Sequence, residues 1–217
     1  MRVAPSRVAA FAFAVVLCPA YALADRGALS LDLGTGFTAL ALRSPYAQSG
    51  ATGWALAVSV SAGVRYGLTN AVELTLGWVY DLPAHVTHAG ASIPTVDNGT
   101  FTGTLGYELS RFGVLGGVRY VTGLVVRLTV GAELGWSHRS YSIPQLRDPT
   151  RAGAPDYGLG LPDLAVDDLV VQPGVGVEWA FADHWSASLL LRTTLLLGPE
   201  PVVGLSGGLT LSYGWFP

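Results

Sequence analysis

From Trp54 to Tyr66 the chain alternates without a break. Trp54, Leu56, Val58, Val60, Ala62, Val64 and Tyr66 share one face, and Ala55, Ala57, Ser59, Ser61, Gly63 and Arg65 share the other. A period of two is the mark of a β-strand. The run is long beside the roughly five or six residues of an ordinary globular strand, and its second face is small or polar. The pattern returns. Val72, Leu74, Leu76, Trp78 and Tyr80 alternate with Glu73, Thr75, Gly77 and Asp81, and Val126 to Trp136 alternate with Arg127, Thr129, Gly131, Glu133 and Gly135. Val175, Val177 and Trp179 alternate with Gly174, Gly176 and Glu178, and Val203 to Trp215 repeats the scheme with Gly and Ser between. Leu29, Leu31 and Leu33 open the first strand, whose phase changes near Thr38 and so predicts a bulge there. Eight strands follow: 28–42, 54–66, 72–82, 100–120, 125–141, 166–179, 185–197 and 202–216. The fourth changes phase near Ser110-Arg111, read as a bulge or an extension within one strand.

An internal repeat orders these strands. Gly63-Val64-Arg65-Tyr66 returns as Gly117-Val118-Arg119-Tyr120 and, altered, as Gly176-Val177-Glu178-Trp179. Each precedes a short connection: Gly67–Asn70, Val121–Leu124 and Ala180–His184. The opposite connections, 43–53, 83–99, 142–165 and 198–201, are mostly longer and rich in Pro, Gly, Asn and Asp. Short turns at one end and long loops at the other fit an up-and-down barrel across a membrane. Aromatic residues gather near both ends. Tyr66, Tyr120, Trp179, Trp185, Tyr213 and Trp215 lie toward the short turns, and Trp54, Trp78, Tyr80, Trp136 and Tyr141 toward the long loops. Two such girdles are expected at the two bilayer interfaces.

Composition then excludes the ordinary alternatives. Of 217 residues 50% are hydrophobic and only 12% charged, about half the usual charged fraction of a soluble domain. No stretch beyond residue 24 has the roughly 18 continuous apolar residues of a spanning helix, which leaves a closed barrel as the way to cross a bilayer. Residues 1–24 read as an export signal, with Arg2 and Arg7, an apolar run from Val8 to Leu17 and an Ala22-Leu23-Ala24 cleavage site. The barrel then occupies 25–217. Removal of that segment takes Cys18, the one cysteine, and leaves ten basic residues against fifteen acids. The basic residues are all Arg. A mildly acidic chain without Lys clusters is not expected to bind nucleic acid.

The few charges concentrate on the polar face. Asp32, Glu73, Glu133 and Glu178, with Arg65, Arg119, Arg127 and Arg192, point inward by parity. An eight-stranded barrel has room for its own side chains or one small ligand, and buried charges must be paired. An internal ion-pair network is therefore expected, and Arg suits it through its bidentate fork. A narrow polar path for solutes is the alternative. No metal site or cofactor is expected, although His85 and His88, with Asp97, are spaced for one. Asp163, Asp167 and Asp168 form an acidic patch near the third long loop.

With its export signal, alternating strands, turn segment Arg65-Tyr66-Gly67-Leu68-Thr69-Asn70-Ala71-Val72-Glu73-Leu74 and aromatic end Tyr213-Gly214-Trp215-Phe216-Pro217, the chain resembles the small outer-membrane β-barrels of Gram-negative bacteria, the OmpA and OmpX type. The resemblance implies an eight-stranded antiparallel transmembrane barrel with both termini in the periplasm. It also implies contact with outer-membrane lipid, lipopolysaccharide and the assembly machinery, and a monomer. Its expected role is structural or surface-interacting. Such barrels end on an aromatic residue, and here Pro217 follows Phe216, a departure that bears on assembly. Outer-membrane lipid A deacylases, also small barrels, use a His-x-Ser pair, and His138-Arg139-Ser140 is similar to it, with Tyr141 following and no acid placed beside it. A soluble barrel of the lipocalin kind is the rival fold, and it would carry its apolar face inside.

Overall fold

The computed structural model describes residues 26–46, 52–94, 100–123, 126–147, 157–158 and 162–215. The export signal over 1–24, the ends Phe216 and Pro217, and Asp97 lie outside them. The strands are β1 (Leu29–Leu42), β2 (Gly53–Gly67), β3 (Val72–Pro94), β4 (Thr100–Gly123), β5 (Val126–Arg147), β6 (Tyr157–Gly158), β7 (Leu164–Ala182), β8 (Trp185–Leu197) and β9 (Val202–Trp215). Each long strand pairs antiparallel with the next, β5 pairs with β7, and β9 returns to β1. The wall is thus a closed eight-stranded barrel. The two-residue β6 only adds to the far end of β5.

The side chains sort as the alternation requires. Leu33, Leu56, Leu76, Val118, Leu134, Val175 and Leu209 stand exposed on the outer wall. Large apolar side chains are far more numerous outside this zone of the barrel than within it, the reverse of a soluble protein's distribution. The lipocalin-like alternative is excluded here, because its apolar face would line the interior. A band of this kind is covered by lipid.

The interior is narrow, and glycines line part of it. Gly63 and Gly77 face one another across β2 and β3. A Cβ on either would come within 2.8 Å of a carbonyl oxygen on the other strand.

Two expected bulges are absent. The β1 ladders run unbroken from Leu29 to Leu42 on the β2 side, so the backbone does not change phase at Thr38. What changes is the medium. Up to Phe37 the apolar residues face outward to lipid, whereas Leu40 and Leu42 face inward and are buried. The same holds in β4. Phe112, Val114 and Val118 are exposed outside, and Leu105, Tyr107 and Leu109 are buried inside, with no break in the strand's own parity at Ser110-Arg111.

The real bulges lie in segments expected to be loops. Register shifts fall on β3 between Asp81 and Ala84 and between His88 and Ala91. A third falls opposite Gly106–Glu108, where β5 carries the extra residue around Ile143, whose φ is 52°. Most of the expected 83–99 loop is therefore a continuation of the β3–β4 hairpin, and β5 likewise runs on to Arg147. These extensions rise above the apolar band and enclose a second core: Leu40, Leu42, Val86, Ile93, Leu105, Tyr107, Leu109, Tyr141, Val170, Leu196 and Val202. Tyr141 belongs to this core and not to the outer girdle, because odd positions of β5 point inward; it is 1% exposed.

Candidate functional site

The inward charges form two layers. The lower layer sits at the short-turn end and unites Asp32 of β1, Arg65 of β2, Glu73 of β3, Arg119 of β4, Arg127 of β5 and Glu178 of β7. Arg65 is the hub. Its Nε donates to Asp32 at 2.8 Å, and its Nη1 reaches Glu178 at 3.0 Å and Glu73 at 3.4 Å. Arg119 donates through Nε to Glu73 and through Nη2 to Glu178 at 2.7 Å. Arg127 stands 3.6 Å from the other Glu178 oxygen. Three guanidinium groups and three carboxylates balance, which is what a low-dielectric lumen requires. Strand register explains the convergence: Glu73 is directly opposite Arg119, and Arg127 opposite Glu178. Arg192 and Glu133 sit higher, 3.3 Å apart and partly open to the lumen, with Thr75 donating to Glu133 at 3.3 Å.

The upper layer was not identified from sequence. It crosses six strands at the height where the inner face turns apolar. Thr38 and Ser59 donate to Asp81 Oδ1 at 3.1 and 2.7 Å. Arg111 Nε donates to Asp81 Oδ2 at 2.7 Å. Arg139, directly opposite Arg111 in the β4–β5 ladder, forks onto Asp168 with bonds of 2.6 and 2.8 Å and donates to the Tyr141 hydroxyl at 2.7 Å. Asp81 and Asp168 are almost wholly buried. The acidic patch expected at 163–168 is thereby split. Asp168 points inward to Arg139, Asp167 points outward, and Asp163 accepts from the Ile143 amide at 3.3 Å. Parity could have found Asp81 and Arg139, since both continue the inward positions of their strands. Asp168 does the same within the expected strand 166–179, at the parity of Glu178.

Above this belt lies an aromatic group. His88 Nε2 is 2.7 Å from the Tyr107 hydroxyl and stacks on that ring at 5.4 Å. Tyr46 and Tyr141 pack edge-on against Tyr107. Burial pushes the Tyr107 phenol up and the Tyr141 phenol to about 12. His85 and His88 do not share a site. His85 is exposed outside and His88 buried inside, on opposite faces of β3. Among the described residues no cluster of side chains is arranged to hold a metal ion.

On the outer wall the girdle residues take the expected face. Trp54, Tyr66, Trp78, Trp136, Trp179, Trp185 and Trp215 are exposed there, and Tyr80, Tyr120 and Tyr213 lie half-buried on the same surface. Tyr66 and Trp215 flank Leu29 on one row of the ladder, and Tyr213 packs edge-on against Trp185 and Trp215. Just above Trp136, His138 and Ser140 also face outward, and His138 Nδ1 is 2.8 Å from Asp167 Oδ1. His138 therefore has an acid partner on the neighbouring strand.

A closed antiparallel eight-stranded wall, an apolar outer band between aromatic girdles and a charged lumen define the class: a small outer-membrane β-barrel. No protein-family model and no curated protein sequence matches the chain. Solved structures do. Ail, the attachment invasion locus protein of Yersinia pestis, in complex with the heparin analogue sucrose octasulfate, aligns with a TM-score of 0.51 at 11% identity, covering 88% of this chain and 99% of Ail. Neisserial surface protein A aligns at 0.49 and 12% identity, covering 85% and 98%. OprG of Pseudomonas aeruginosa aligns at 0.43 and 11%, covering 90% and 100%. The likeness is one of fold: a closed antiparallel eight-stranded barrel.

Proposed function

We propose that this barrel has a structural and surface-interacting role, as a monomer in contact with outer-membrane lipid and lipopolysaccharide, and that its lumen does not conduct. The observation that carries this reading is the inversion of the inner face. Above the belt of Asp81, Arg111, Arg139 and Asp168 the interior is packed with apolar side chains that exclude water: Leu42, Leu105 and Leu196 are 0% exposed. The strand extensions that enclose this core then present polar residues outward, such as Thr87, Thr102 and Glu108, on a rigid support suited to contact with another surface. Planar-bilayer recording tests the closed lumen. The expected result is no stepwise conductance from the purified barrel, and steady single-channel steps would favour the solute-path alternative.

A second reading draws on one specific contact. Asp167 orients His138 through Nδ1, and Ser140 shares the same outward face two positions on, at the upper bilayer interface. A His held by an acid can activate a serine toward an ester, and lipid acyl chains are what lies at this height. Lipid A mass spectra from cells expressing the protein decide it. Loss of an acyl chain that disappears with Ser140→Ala supports a lipid-modifying hydrolase, and identical spectra reject it.

A further inference from the structure

Between the two charged layers the lumen holds a cavity of about 140 Å³. Its space comes from inward glycines, among them Gly63, Gly131 and Gly174. A Cβ at Gly131 would meet the Arg119 side chain at 2.8 Å, and one at Gly174 would meet the Arg192 side chain at 2.8 Å. The charges on its wall are unequal. Arg65, Arg111, Arg119 and Arg192 line it, against Asp32 and Glu133. The carboxylates that neutralise Arg65 and Arg119 from below, Glu73 and Glu178, line a separate vestibule at the short-turn end.

Arg111 is the second, independent sign. Its side chain is 1% exposed, and only Nε has a partner. Nη1 and Nη2 are buried without any hydrogen bond. Asp81 offers them little, because its Oδ2 takes Nε and its Oδ1 takes Thr38 and Ser59. A guanidinium carries five N–H donors in a fixed fork, and leaving most of them unmatched in an enclosed place is strongly unfavourable.

We propose that the mid-lumen cavity is a binding site for a compact anion, a halide or a phosphate-sized oxyanion, recognised by the terminal nitrogens of Arg111 and by the cation excess of the wall. The Nε–Asp81 bond fixes one edge of the guanidinium, and the anion takes the other after a small rotation of the side chain's outer torsions. Room and charge both set the class. A cavity of this volume admits a small ion with part of its hydration shell but no extended solute, and an excess of guanidinium groups on the wall disfavours a cation.

Bromide tests this, with no reliance on a surface or catalytic role. Crystals of the refolded barrel soaked in sodium bromide should show an anomalous peak in the cavity beside Arg111. In solution, the melting temperature should rise as bromide replaces gluconate, which is too large for the cavity, at constant ionic strength. Arg111→Met should abolish that rise. If Arg111→Met does not fold, Arg192→Gln, on the far wall, should weaken bromide binding at least several-fold. A cavity without anomalous signal overturns the proposal. So does a crystal peak with no response in solution, or an equal response in wild type and variant.

Discussion

Two halves of one barrel solve opposite problems with the same strands. In the bilayer half the apolar residues face out and the lumen is charged. In the half above it the apolar residues face in, and the outer wall of the β3–β4 hairpin is polar. The boundary is a single belt, Thr38–Ser59–Asp81–Arg111–Arg139–Asp168, and no backbone irregularity in β1 or β4 marks it. The lesson is that the face carrying the apolar residues reports the solvent and not the backbone phase. Lipid outside demands a polar or small interior that still satisfies every charge. Water outside demands a packed interior like that of any soluble domain.

The largest expected effect breaks the lower half. Arg65→Met leaves Asp32, Glu73 and Glu178 facing one another with only Arg119 and Arg127 to neutralise them. Removing one partner from a buried ionic network costs about 3–5 kcal/mol. Urea unfolding from lipid vesicles should show a midpoint lowered accordingly, and an unchanged midpoint would mean the lumen charges are solvated individually. Next come two identical truncations on one strand. Leu42→Ala, inside the upper core, should lose both transfer energy and the cavity term, about 3–4 kcal/mol. Leu33→Ala, facing lipid, should lose the transfer term alone, about 2 kcal/mol, because acyl chains fill the space. Equal losses at the two positions would erase the distinction between a packed interior and a fluid surround.

Sequence reading reached the two halves unequally. The bilayer half was legible because lipid on one side and a narrow lumen on the other impose strict alternation. That alternation located all eight strands and put Asp32, Arg65, Glu73, Arg119, Arg127, Glu133, Glu178 and Arg192 on the inner face. Their partners came only with the register, which brings Arg65 to Glu178 across strands far apart in sequence. The upper half was obscured because its apolar residues stand on the other face. Leu40, Leu42, Leu105 and Leu109 then looked like a change of phase, and the hairpin past Pro83 looked like a loop. Leu82-Pro83 and Ala89-Gly90 are indeed turn-like dipeptides, but the chain uses them as bulges within one long strand. His138 gained its acid for a related reason: Asp167 comes opposite it only in the folded β5–β7 ladder.

The smallest expected effect concerns pH and the upper half alone. Burial holds the Tyr107 and Tyr141 phenols neutral, with Tyr141 raised to about 12 despite the nearby Arg139 guanidinium. In the unfolded chain both ionise near their ordinary value of about 10. A raised folded-state value favours the neutral form, so its stabilising contribution is complete below pH 10. Between about 10 and 12 the unfolded state binds fewer protons than the folded one, and stability falls as pH rises. Ionisation followed by phenolate absorbance should therefore show Tyr107 and Tyr141, with Tyr46 packed beside them and also raised by burial, lagging the rest while the barrel stays folded. A Tyr107→Phe and Tyr141→Phe double variant should remove most of the lag and flatten the alkaline loss. The lower half has no tyrosine within its lumen among the described residues, so the alkaline loss should originate in the upper core.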